Sequence, residues 1–135
     1  MTNILDVAKN VKVSLDSGTE SVLSYFERMS KEAAKEYEDL DYDLMTEEEH
    51  YFYDDPIDDT IEYENIFMKI VKKCMEVGFP IEDYILYGIV DSTASVLFKF
   101  RNNYGKEIFF NGREDDDRIF VYNINSELVE LEDMV

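Results

Sequence analysis

Tyr84–Phe100 reads Y-I-L-Y-G-I-V-D-S-T-A-S-V-L-F-K-F, and this stretch decides the fold. Before it, apolar residues recur every three or four positions; within it, they alternate. Val96, Phe98 and Phe100 point one way while Leu97, Lys99 and Arg101 point the other, the pattern of a half-buried antiparallel strand. Tyr84–Val90 forms the strand before it, with Asp91-Ser92-Thr93-Ala94 as the turn. Asn102-Asn103-Tyr104-Gly105 supplies turn chemistry for the next reversal. Glu107–Asn111 and Arg118–Ile124 read as a third and a fourth strand, joined by residues 112–117. The tail, Asn125–Val135, is acidic and is expected to hold a short helix after Ser126.

Upstream of Pro80 the period is helical. Ile4, Ala8, Val11 and Leu15 predict a helix over Asn3–Leu15 with Asn3 as N-cap and Asp6 three residues on, although Val11, Val13 and Leu15 also alternate as a strand would. Ser17 and Glu20 spell a capping box. From Gly18 to Leu44, Val22, Phe26, Met29, Ala33, Tyr37, Leu40 and Leu44 mark a long amphipathic helix. Thr46 and Glu49 open a short helix to about Tyr53, which Pro56 ends. Asp59 then caps a third helix with Tyr63, Ile66, Phe67, Ile70, Val71, Cys74 and Val77 on one face, closed by Gly78 and Pro80. Helices followed by hairpin-connected strands imply an α+β fold, N-terminal helices packed on a C-terminal antiparallel meander of about four strands. The expected organisation is a single domain over residues 1–135, mainly helical to residue 79, sheet from 80 to 124, and an acidic tail.

A chain of 135 residues with 45% hydrophobic and 14% aromatic content can bury a core without staples. One cysteine, Cys74, excludes an internal disulfide and reads as a small buried hydrophobe. No apolar run approaches the roughly 20 residues that span a bilayer, and MTNILDVAKNVKV has no signal-peptide core, so a cytoplasmic location is expected.

The net charge of −19 is unevenly placed. Residues 1–35 balance at zero and residues 69–113 carry +2, whereas residues 36–68 carry −14 and residues 114–135 carry −7. Glu36–Glu64 holds 14 of the 32 acids, with no Lys or Arg, and six aromatics are threaded through it. Such a balance repels phosphate and favours a basic protein surface. The candidate partner-binding residues are Glu36, Glu38, Asp39, Asp41, Asp43, Glu47, Glu48, Glu49, Asp54, Asp55, Asp58 and Asp59, with Asp115 and Asp116 from the second block.

Enzymatic signals are sparse. His50 beside Glu49 resembles an acid–base pair, but a lone surface histidine is usually just a surface residue, and no GxSxG, HExxH, CxxC or phosphate loop is present. Asp39–Asp43 spells half of an EF-hand loop and then fails, with Leu44 where the turn needs glycine and His50 where a bidentate Glu belongs. The remaining acid clusters attract divalent ions nonspecifically. Neither a metal nor a cofactor is expected, and no catalysis.

Local rules add an argument to the count. Acids in the last turns of a helix oppose its dipole by typically ~0.3–1 kcal/mol each, and like-charged pairs at i,i+3 or i,i+4 cost about 0.2–0.5 kcal/mol each. Glu36, Glu38, Asp39, Asp41 and Asp43 incur both costs. Fourteen carboxylates over 29 residues also give roughly 3 Å of helix axis per charge, close to the roughly 3.4 Å per phosphate of a DNA strand. On residues 36–64 and 114–117 the chain resembles the acidic, cysteine-poor, Tyr/Phe-rich inhibitors that phages and mobile elements encode, the DNA mimics of anti-CRISPR or anti-restriction type. The resemblance is one of composition. It implies an inhibitor that occupies the DNA or RNA site of a basic nuclease with carboxylates in place of phosphates. An immunity protein neutralising a cognate nuclease toxin has a similar look, and an adaptor domain with a solvated acidic face is the third reading.

Overall fold

A computed structural model of the chain describes residues 3–15, 18–39, 56–92, 95–122 and 125–134. The order is α1 (Ile4–Asn10), β1 (Lys12–Leu15), β2 (Gly18–Ser21), α2 (Val22–Asp39), α3 (Pro56–Val77), a 3-10 turn (Ile81–Asp83), β3 (Tyr84–Asp91), β4 (Val96–Asn102), β5 (Glu107–Arg113), β6 (Asp116–Tyr122), β7 (Leu128–Glu130) and α4 (Leu131–Met134). The class is α+β, as expected. The expected four-strand meander is β3–β6, but it forms only the centre of a seven-stranded mixed sheet of order β2-β1-β3-β4-β5-β6-β7. All neighbours are antiparallel except β1 and β3, which run parallel with Lys12 opposite Ile85 and Val13 opposite Leu86.

Two corrections at the N-terminus share one cause. Asn3 caps α1 as read, its Oδ1 accepting from the Asp6 N–H at 2.9 Å. The helix then stops at Asn10, and Val11 turns extended at φ −78, ψ 131. Alternating β-branched residues prevail over the helical spacing because Val11 and Val13 are buried in the core as extended chain. The helix expected from Gly18 begins at Val22, since Gly18–Ser21 pairs with β1 as a hairpin. Ser21 is the real cap, its Oγ accepting from the Ser24 N–H at 3.2 Å.

α3 begins at Pro56, three residues before the expected cap at Asp59. Proline suits the first helical position, where its fixed φ is already helical and its missing N–H has no partner to lose. The other end follows the expectation. Gly78 sits at φ 77, and the Phe79 N–H donates to the Cys74 carbonyl at 2.8 Å, the six-to-one bond of a Schellman closure. The short helix expected over Thr46–Tyr53, and the stretch of the long helix beyond Asp39, lie outside the described residues.

The remaining corrections concern loops. The β5–β6 connection shrinks to Glu114–Asp115, since Arg113 pairs with Asp116. The tail forms β7 before its helical turn, α4, and Leu131 is fully buried. At the β4–β5 turn Asn102 Oδ1 accepts from the Tyr104 and Lys106 N–H groups at 3.0 and 2.9 Å, and Gly105 takes φ 81.

One core lies between the helices and the sheet. Ile66, Phe67, Ile70, Val71 and Cys74 of α3 face Phe98, Phe100, Phe110, Ile119 and Val121, each at most 1% exposed. Each large side chain so buried contributes about 1.5–3 kcal/mol relative to exposure. Gly112 sets the approach of α3: a Cβ there would lie 2.7 Å from Ile66 Cγ2 and 3.2 Å from Ile119 Cδ1. Gly112→Ala is therefore expected to cost about 1–3 kcal/mol in urea denaturation. Gly88→Ala, whose Cβ would meet nothing nearer than Lys99 Cδ at 3.5 Å, serves as the near-neutral control. Equal midpoints for the two variants would refute the close-contact account.

Candidate functional site

α2 and α3 lie antiparallel. Phe26 meets Phe67 edge to face at 5.9 Å, while Tyr25 and Met29 share a cleft with Thr60 and Tyr63, further back along α3. The last turn of α2, with positions Glu36, Glu38 and Asp39, and the first turn of α3, with Asp58 and Asp59, therefore fall at one end of the helical layer. The last turn of α2 contains no base. Asp41, Asp43, Glu47, Glu48, Glu49, Asp54 and Asp55, like His50, lie outside the described residues.

The cleft at this end is about 270 Å³ and opens between α2, α3 and the parallel β1–β3 seam. Tyr25, Phe26, Met29, Tyr63 and Leu86 make its apolar wall, and the Tyr63 hydroxyl donates to Asp91 Oδ2 at 2.9 Å. Its size and lining suit one aromatic or aliphatic side chain better than an extended ligand.

Many of the chain's cations are engaged internally. Arg28 bridges Glu20 at 2.6 Å and Glu32 at 3.4 Å, and Lys31 pairs with Glu27. Lys73 joins Glu76 and Glu132, tying α3 to α4. Lys69, the first base after the acidic block, donates to three backbone carbonyls of the β5–β6 hairpin: Arg113 at 3.2 Å, Glu114 at 2.6 Å and Asp116 at 3.3 Å. This clamp was not read from the sequence; its only signal was a lysine one turn from an apolar stripe.

The second acidic block stands apart from the first. Lys69 places the hairpin tip against the middle of α3, about 15 Å along the helix axis from Asp59. Asp115 and Asp116 already have cationic partners there. Asp115 takes Arg113 through both oxygens at 3.1 and 3.3 Å. Asp116 accepts from the Arg118 guanidinium at 2.8 Å and from the Arg118 N–H at 2.9 Å, and these bonds hold its carboxyl down at about 2. A target arginine would have to compete with both. Cys74 is fully buried, and burial pushes its thiol up to about 12, so it carries no thiolate at neutral pH.

No family model matches the chain, and neither a curated protein nor a solved structure is similar to it. Among the described residues, no helix is long and apolar enough to cross a membrane.

Two measurements check these contacts. Lys69→Met should destabilise the fold by about 1.5–3 kcal/mol and speed amide exchange at residues 113–116, because hydrogen bonds to a charged group are lost. For Asp116 the folded carboxyl lies below the roughly 3.9 of an unfolded aspartate, so its bonds stabilise the protein above that pH, and the contribution is lost as pH falls toward about 2. A carboxyl titration by NMR should show Asp116 ionised to about pH 2 in the parent and shifted toward the ordinary range in Arg118→Gln.

Proposed function

We propose that the chain is an acidic inhibitor that binds a basic, nucleic-acid-handling protein, such as a CRISPR or restriction nuclease, and excludes its DNA or RNA by phosphate mimicry. The observation that carries this reading is the segregation of charge. Residues 36–68 carry fourteen acids and no base, and the described ends of this block sit together at one end of the helical hairpin. The flanking bases are Lys35, one residue before the block, and Lys69, which the β5–β6 hairpin holds.

Energetics support the same reading. Glu36, Glu38 and Asp39 occupy the negative end of the α2 dipole, each at a cost of ~0.3–1 kcal/mol at low salt. A stable domain that keeps these charges in a last turn with no base of its own is consistent with a use for them in binding. Asp58 and Asp59 differ: in the first turn of α3 the dipole favours them. Arg and Lys side chains of the target's phosphate-binding surface would pair with the carboxylates, and the cleft between α2 and α3 would take an apolar anchor. Encounter would be fast and salt-sensitive, with the apolar contact governing dissociation.

The immobilised protein should retain a nucleic-acid-handling protein from host lysate at low salt and release it in a salt gradient. Recovery of no such protein sinks the reading. With the target in hand, the inhibitor should displace bound DNA or RNA. Asp39→Lys, Asp41→Lys and Asp43→Lys combined should weaken binding at least ~100-fold, since each charge reversal at a close pair costs more than about 1 kcal/mol. A folded triple variant that binds as tightly as the parent places the interface elsewhere.

A further inference from the structure

The helices occupy one face of the sheet. Every buried helix side chain belongs to the core on that face, and no outward strand residue with a side chain is fully buried. A sheet with one solvated face normally alternates apolar inward with polar outward. This one does not. The pairing register runs a single outward row across five strands, Val90–Leu97–Asn111–Phe120–Glu130, in which three of five side chains are apolar. Phe109, opposite Lys99, and Tyr122, opposite Leu128, extend the apolar area on the same side. Val90, Tyr122 and Leu128 are 45%, 39% and 47% exposed.

Charge on this face is unlike that of the rest of the chain. Its cations are Lys12, Lys99, Arg101, Arg113 and Arg118; its carboxylates are Glu107, Asp115, Asp116 and Glu130. The balance is near neutral on a chain of net −19. Arg101 stacks over Tyr87 at 5.2 Å and Arg118 over Phe120 at 5.3 Å, and the Lys99 stem lies across Gly88. The two guanidinium groups thus cover ring faces, and the Lys99 methylenes cover Gly88.

We infer that this face, which no described helix covers, pairs with the same face of a second copy of the chain. Three observations select that occupant. A nucleic acid would need a cationic excess and a basic protein an anionic one, and the face has neither. Apolar and aromatic residues at the centre, with arginines and carboxylates of both signs around them, match the composition of homodimer interfaces and are self-complementary under a twofold axis. Two strongly acidic chains also meet with least repulsion through their least acidic surface. The area is adequate: seven strands about 4.8 Å apart and three to eight residues long at about 3.3 Å give roughly 600 Å² per copy, the low end of interfaces that persist in solution. The inference is independent of the proposed inhibitor function, and neither fails with the other.

Sedimentation velocity of the full chain from 5 to 200 µM in about 150 mM salt tests it, on a concentration range set by the ~μM affinity that small interfaces reach. The expected result is a concentration-dependent species of twice the 15.9 kDa chain mass, strengthened by added salt because the two chains repel each other overall. Leu97→Lys combined with Phe109→Lys should give monomer with an unchanged circular dichroism spectrum. Ile61→Lys, at a solvent-exposed position on α3, should leave the dimer intact. Should the double variant lose its fold, Asn111→Arg replaces one outward polar residue by another at the centre of the row and should still raise the dissociation constant at least tenfold. Monomer at 200 µM overturns the inference, and so does a dimer that survives in a folded sheet-face variant or dissociates on added salt.

Discussion

The contact between α3 and the sheet is the constraint on which the remaining structure depends. Ile66 rests where Gly112 leaves no Cβ, and this close approach puts Phe67, Ile70, Val71 and Cys74 against the phenylalanines of β4 and β5. The helix position in turn fixes Lys69 over the β5–β6 hairpin and Lys73 beside α4. The edge-to-face ring pair of Phe26 with Phe67 then sets α2 against α3. The position of the acidic end of the hairpin is thus a consequence of packing seven or more residues further along a 22-residue helix.

Charge and packing are kept apart in this molecule. Cations near the core are used as structural donors, each satisfied by a carboxylate, a carbonyl or a ring face. Among the described residues Thr60 is the one buried polar side chain, and no buried side-chain nitrogen or oxygen lacks a hydrogen-bond partner. A net charge of this size therefore acts on association rather than on the interior.

How much was legible in the sequence depended on the length of each element. The strands β3–β6 and helices α2 and α3 have seven or more residues, enough for a period to declare itself, and their faces were read correctly down to Val96, Phe98 and Phe100. The strands β1, β2 and β7 have three or four residues; the alternation of Val11, Val13 and Leu15 was visible but too short to outweigh the helical spacing, and pairing comes from a partner seventy or more residues away for β1 and from a neighbouring edge for β7. The capping box at Ser17 was misleading because Gly18–Ser21 found a strand partner. Pro56 was read only as the end of a preceding short helix, which lies outside the described residues, and it also opens α3, since the same missing N–H suits both. For the candidate site, the acids are visible to counting, whereas the pairing of Asp115 and Asp116 with Arg113 and Arg118 depends on a two-residue hairpin that composition does not reveal.

The parallel seam has a further consequence, in time rather than in space. Lys12 pairs with Ile85, so β1 leaves the ribosome 73 residues before its partner. At roughly 5–20 residues per second the β1–β2 hairpin waits on the order of 4–15 s beside nothing but its own helices. Its apolar side chains, Val11 and Val13, are few, and Lys12, Glu20 and the hairpin's polar residues alternate with them. A hairpin that must wait so long is safest short and half polar, and a four-residue strand is too short to recruit the wrong partner.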